Sequence, residues 1–283
     1  MTAVNDEPDT MAGYPLGTSS AESARLQRQS DQLRPHSAAL LHQLDLKPGQ
    51  SVIDLGCGPS GILDLLSAAV APTGRVVGVD ANPYLIAQAR DYADRAGLDN
   101  VEVLVADARH TGLPADSFDL VHARTLLATL PDPAEVVAEM VRLARPGGWV
   151  AGQEPDVECA ICYPRLPAWD RLRQIFRAGF DRLGADLLIG RRLTELYRQA
   201  GLQDIQVVVH AGAYPADHSR RTILPDLVSS LRPVVLEFGL SDEAELADLD
   251  QAVRQHLADP GTLVMSELMV VVWASKPATA RRA

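Results

Sequence analysis

Cysteine is scarce in this chain of 283 residues, with Cys57, Cys159 and Cys162 the three present. Three thiols exclude a disulfide framework, and Cys159-x-x-Cys162 has no second Cys/His pair at zinc-ligand spacing. The pair reads instead as two small buried hydrophobes. Lysine is rarer still, at Lys47 and Lys276 alone, and 37 acidic against 26 basic residues leave a formal charge of −11. Such a surface repels phosphate, which argues against nucleic acid or an anionic membrane as partner. No apolar run approaches the roughly 20 residues of a membrane span. The opening stretch MTAVNDEPDTMAGYPLG lacks the basic and apolar regions of a signal peptide. A cytoplasmic protein is expected. Aromatic residues are also few, at 5% of the chain.

Apolar residues make up 47% and charged residues 22%. That is enough for a large core and too apolar for disorder. Residues 1–18 read as a flexible lead. Ser19-Ser20-Ala21-Glu22 has the spacing of a capping box, so a helical cover over 19–46 is expected, broken at Pro35. From there short β-branched runs (51–55, 75–79, 101–105, 118–122 and 148–153) alternate with helical stretches (62–70, 83–96 and 133–143). Asn82-Pro83 and Asp132-Pro133 each read as an N-cap followed by proline in the first turn. Near-continuous apolar strands alternating with helices predict a doubly wound parallel sheet covered on both faces. Beyond residue 155 the pattern turns helical at 166–183, 192–200 and 217–258. Two more strands are expected at 204–210 and 267–274, before a tail over 276–283.

The chemistry concentrates between the first strand and the first helix, in Asp54-Leu55-Gly56-Cys57-Gly58-Pro59-Ser60-Gly61. Glycines there permit a tight turn and let a ligand approach the backbone beneath a helix N-terminus. Asp80 closes the second strand, where a carboxylate can accept both hydroxyls of a ribose. The same glycine spacing with a distal acid also satisfies the dinucleotide fingerprint, so the loop alone leaves adenosyl-sulfonium and NAD ligands open. Asp54 separates them. A carboxylate inside the strand suits an amino-acid ammonium group and would repel a pyrophosphate.

The third strand ends in Ala106-Asp107-Ala108, and Gly112-Leu113-Pro114-Ala115-Asp116-Ser117-Phe118-Asp119-Leu120-Val121 follows. With these motifs in this order, the chain resembles the class I S-adenosylmethionine-dependent methyltransferases, in their bacterial small-molecule branch. The resemblance spans about residues 14–275 and implies a Rossmann-like, seven-stranded, mostly parallel sheet with one antiparallel strand near its end. It makes 47–154 the cofactor-binding core and 155–275 the lid helices and closing strands of the same domain. It implies that Asp54, Gly56, Cys57 and Gly58 form the first cofactor loop and that Asp80 holds the ribose. Ala81 and Asn82 would flank the adenine, and Asp107 would accept from its amino group with Ala108 alongside. His122, Ala123 and Arg124 would end the fourth strand near the reacting methyl. Tyr14 resembles part of a segment that closes over the cofactor. Arg145-Pro146-Gly147-Gly148 matches the family's turn into the fifth strand, while Pro59-Ser60 departs mildly from its glycine pattern.

The expected function is transfer of a methyl group from S-adenosylmethionine to a small-molecule acceptor, a natural product or other secondary metabolite, without a metal. His122 and Glu154 are candidate general bases, with Arg124 as a substrate contact. For Arg124 a surface ion pair is an equal reading, and for Glu154 so is a cap on the following segment. Trp169, Phe176 and Phe180 form a helical stripe that reads as core and, placed after the fifth strand, also as a chamber wall. Other readings are an enzyme of this fold catalysing cyclisation or rearrangement around a structural cofactor, a non-catalytic cofactor-binding subunit, and an NAD-dependent dehydrogenase. Homo-oligomerisation stays open.

Overall fold

The computed structural model describes residues 20–278, with side chains from residue 24 onward. The apolar runs form β1 (Ser51–Leu55), β2 (Arg75–Asp80), β3 (Val101–Val105), β4 (Phe118–Arg124) and β5 (Ala144–Asp156). The short β6 (Ile161–Tyr163), then β7 (Gln203–His210), the short β8 (Leu263–Met265) and β9 (Leu268–Ser275) follow. The main sheet has seven strands in the order β3-β2-β1-β4-β5-β9-β7. β1 to β5 run parallel, and β9 is antiparallel to both its neighbours. Strand order reverses between β1 and β4, which opens a crevice at their carboxyl ends. That crevice is where the glycine loop lies.

Helices α1 (Ser20–Leu44), α2 (Leu63–Val70), α3 (Pro83–Ala96), α4 (Pro133–Leu143), α5 (Pro167–Arg182) and α6 (Leu193–Gln199) follow in chain order. They are completed by α7 (Ile223–Ser230), α8 (Arg232–Glu237) and α9 (Glu243–Leu257). α3 starts as expected: the Asn82 side chain accepts from Tyr84 N, and Gly97 ends the helix in the left-handed region. Asp132 makes no such cap bond, so α4 begins on Pro133 and its acidic first turn.

The expected break at Pro35 is absent, and α1 runs through it as one helix. A proline inside a helix costs about 3 kcal/mol. Leu33, Leu40, Leu41 and Leu44 are all buried on its inner face. At about 2 kcal/mol for each buried leucine, that face outweighs the lost bond. α1 therefore lies across the sheet as a rigid cover.

α5, α7, α8 and α9 form a hydrophobic cluster apart from the two that flank the sheet, built around Trp169, Phe176, Phe180, Val228, Leu231 and Val253, whereas α6 packs with the sheet. Buried Arg221 ties this layer together, donating to the carbonyls of Tyr214, Leu257 and Thr262. β6 and β8 pair as a separate two-stranded sheet at its base. Three-residue strands carry too little periodicity to be read from sequence.

Candidate active site

β1 ends in a loop that Asp54 braces from below. The Asp54 carboxylate is 2% exposed, accepts from Ile62 N at 3.2 Å and meets His122 Nδ1 at 2.7 Å. Asp54 and His122 are register partners across β1 and β4, which puts both side chains on the same face. Gly56 has φ +68°, and a side chain there would overlap Leu126. Cys57 N donates to Val79 O at 3.0 Å and ties the loop to β2, while its side chain is buried away from solvent. Burial drives its thiol pKa well upward, so it is an inert packing group.

Above the loop lies a cavity of about 540 Å³, walled by Gly56, Gly58, Asp80, Ala81, Asp107 and Ala108 on the sheet side. Asp80 Oδ2 accepts from Gly58 N at 3.0 Å and Oδ1 from Asn82 N at 2.9 Å, so both oxygens are held at fixed positions. Burial raises the Asp80 pKa, opposed by those two amides. Asp107 is gripped by Arg109, with Nη2 to Oδ2 at 2.7 Å, which holds its carboxyl below the usual carboxylate range. On the other side Trp169, Phe176 and Phe180 on α5, Leu224 and Leu227 on α7, and Met269 make an apolar wall. The aromatic stripe is thus core and chamber wall at once.

Several expected site residues lie behind this surface. Asp54, Cys57 and Ala123 are buried beneath the loop and do not line the cavity, and Asp54 braces the loop through Ile62 N and His122. His122 is fully buried between Asp54 and Gln153, its Nε2 3.0 Å from Gln153 Oε1, and it too is sealed off. Glu154 faces the opposite side of β5. Its Oε1 accepts from Leu126 N and Leu127 N at 3.0 Å, and its Oε2 from Ala128 N at 3.1 Å. It caps the short 3-10 turn Leu127–Thr129 and has no path to an acceptor. Neither residue is placed to take a proton from one. Arg124 does reach the cavity, anchored by Ser37 Oγ at 3.0 Å and Ser30 Oγ at 2.8 Å on α1. Burial lowers its pKa to about 10, which leaves it charged at neutral pH. Tyr14 lies outside the described residues.

Glu154 makes a pH prediction. Burial pushes its carboxyl up to about 7, against roughly 4.3 in an unfolded chain. The folded state therefore binds more protons between those values, and stability falls as pH rises through that window, by about 4 kcal/mol in all. The melting temperature should decline from about pH 4 to about pH 7, and Glu154→Gln should flatten that decline. An unchanged slope in the Gln variant would locate the titration elsewhere.

A methyltransferase-domain family model matches residues 46–188. Nocamycin O-methyltransferase from Saccharothrix syringae is 40% identical over 137 residues, covering 48% of this chain and 47% of that one. The chain therefore spans about half the length of this curated relative. A putative methyltransferase structure from Bacillus halodurans superposes with a TM-score of 0.59 over 85% of this chain and 99% of its own, at 16% identity. A phosphoethanolamine N-methyltransferase from Haemonchus contortus, solved with S-adenosylhomocysteine, superposes with 0.54 over 86% of this chain and 53% of its own, again at 16%. At those identities the structures show a shared fold. The family model decides the membership. The chain belongs to the class I S-adenosylmethionine-dependent methyltransferases.

The walls of the cavity fit the cofactor of that family chemically. A Cβ at Gly58 would meet nothing within 4 Å, so the loop leaves an open cradle beside the Asp80 carboxylate. Asp80 offers acceptors for ribose hydroxyls, and Asp107 offers an acceptor for an exocyclic amine. Among the described residues no group of three His, Cys, Asp or Glu side chains is placed to hold a metal. No helix among them is long and apolar enough to cross a membrane. Sequence reasoning missed Gln29 on α1, and Thr125 and Leu126 after β4, all of which line the cavity. Thr125 takes a left-handed φ of +53°, the kind of strained backbone that gathers at functional sites. No local motif marks these residues: docking of α1 over the crevice brings Gln29 there, and Thr125 and Leu126 reach it from the turn that ends β4.

Proposed function

We infer that this protein transfers the methyl group of S-adenosylmethionine to a small-molecule acceptor. One observation carries the reading: the cofactor-side residues Gly58, Asp80 and Asp107 share one continuous cavity with the apolar wall of α5 and α7. The cofactor supplies a methyl carbon already activated on a sulfonium, with a neutral thioether as leaving group. The protein's residues then need chiefly to hold and align. Asp80 fixes the ribose, Asp107 orients the adenine, and the end of β4 at Arg124 to Leu126 borders the junction of the two halves. α1 and the helical layer exclude water, which strengthens every polar contact inside. Alignment of this kind contributes about 7 kcal/mol or more of barrier lowering.

Calorimetric titration with S-adenosylmethionine, S-adenosylhomocysteine and NAD tests the assignment. Micromolar binding of the two adenosyl-sulfur ligands and none of NAD is expected. Binding of NAD alone would overturn it.

A further inference from the structure

The cavity concentrates positive charge inside a protein whose formal charge is −11. Setting Arg25 aside, five arginines line it, Arg109, Arg124, Arg173, Arg177 and Arg220, against three carboxylates, Asp80, Asp107 and Glu267. Three of the five are matched locally: Arg109 by Asp107, Arg220 by Glu267, and Arg177 by Glu158 just outside the wall. The other two have neutral partners. Arg124 donates to Ser30 Oγ, Ser37 Oγ and the Gly61 carbonyl. Arg173 donates to the carbonyls of Val157 at 3.3 Å and Glu158 at 3.0 Å. Both guanidiniums are part-buried against a largely apolar wall with no carboxylate hydrogen-bonded to them, which leaves their charge available to an incoming anion.

The same wall is short of proton acceptors. No His, Lys or Cys side chain is among its described residues. His122 and Glu154 are sealed behind it, and Glu267 is committed to Arg220. With Asp80 and Asp107 facing the cofactor, no side chain among the described residues of this wall remains to deprotonate a neutral alcohol, phenol or ammonium acceptor.

Resting on the methyl-transfer reading, we propose that the acceptor is a largely apolar oxygen acid, bound as its anion by Arg173. Arg173 lies on the α5 face between Trp169 and Phe176, four residues after one and three before the other, and all three side chains line the cavity. A planar fork flanked by two aromatic rings suits a carboxylate or acidic enolate carried on an apolar body. The lone pair of the ionised oxygen forms the new O–C bond as the C–S bond breaks. The electron pair of that bond stays on sulfur, and no proton is transferred, so the absence of a base costs nothing. Arg124 sits beside the glycine loop instead, where the carboxylate of the cofactor is a rival source of the same anion chemistry.

The test uses 2-naphthoate and the neutral 2-naphthamide, titrated into the full-length protein saturated with S-adenosylhomocysteine. The acid should bind about tenfold more tightly than the amide. Arg173→Gln should remove that preference, while Arg173→Lys, which keeps the charge, should retain part of it. Unaltered S-adenosylhomocysteine affinity in both variants shows that the fold is intact. Equal affinity for the two probes, or a preference that survives Arg173→Gln, overturns the proposal while the methyl-transfer reading stands. A preference seen only without S-adenosylhomocysteine assigns the anion site to the cofactor's own carboxylate and overturns it too. Failure of S-adenosylhomocysteine itself to bind removes the underlying reading along with it.

Discussion

Asp80→Ala is expected to weaken S-adenosylhomocysteine binding by about 100-fold, equivalent to ~3 kcal/mol. Two losses add. The variant removes the acceptor for the ribose, and it releases Gly58 N and Asn82 N, the amides that Asp80 pins on either side of the cavity floor. Asp80→Asn separates them, because its single carbonyl oxygen can still serve one amide. Its affinity should fall between those of wild type and Ala. Calorimetry gives the affinities, and a melting curve on each variant checks the fold. Wild-type affinity in Asp80→Ala would remove Asp80 from the cofactor site.

Gly61→Ala should do comparable damage from the opposite side of the loop. Gly61 has φ +50°, and a Cβ there would overlap Asp54 Oδ2 and come within 2.9 Å of the Cys57 carbonyl oxygen. The left-handed conformation alone costs an alanine about 1 kcal/mol. Moving the Asp54 carboxylate costs more, since it would give up its bonds to Ile62 N and His122 in a site that water does not reach. A total destabilisation of about 4 kcal/mol is expected, read in a denaturant melt, together with loss of measurable S-adenosylhomocysteine binding. Gly97→Ala is the control. Gly97 has φ +65° at the end of α3, but a Cβ there meets nothing within 4 Å, so it should cost only about 1 kcal/mol and leave binding intact. Equal effects at the two glycines would mean that conformation rather than the Asp54 contact holds the loop.

These two residues were visible in the sequence because local chemistry dictates them. A strand that ends in glycines must turn sharply, an acid closing the next strand must face the crevice, and a β-branched run between helical runs must lie in a parallel sheet. The element order, the seven strands, the Asn82 cap and the cavity positions of Gly58, Asp80 and Asp107 all follow from patterns a few residues long. His122 and Glu154 show where such patterns stop. Both are polar residues at the carboxyl ends of central strands, which made them candidates for contact with a ligand. Whether such a side chain meets a cavity or a neighbouring layer depends on what packs over its face of the sheet. Asp54 and Gln153 enclose His122, and the turn at Leu127–Thr129 closes over Glu154. The passage of α1 through Pro35 has the same origin, since the energy that overrides the proline comes from leucines buried against segments distant in the chain. So does the cationic wall. Its arginines come from separate segments after β3, at the end of β4, on α5 and before α7, and only their convergence on one cavity gives them a common partner.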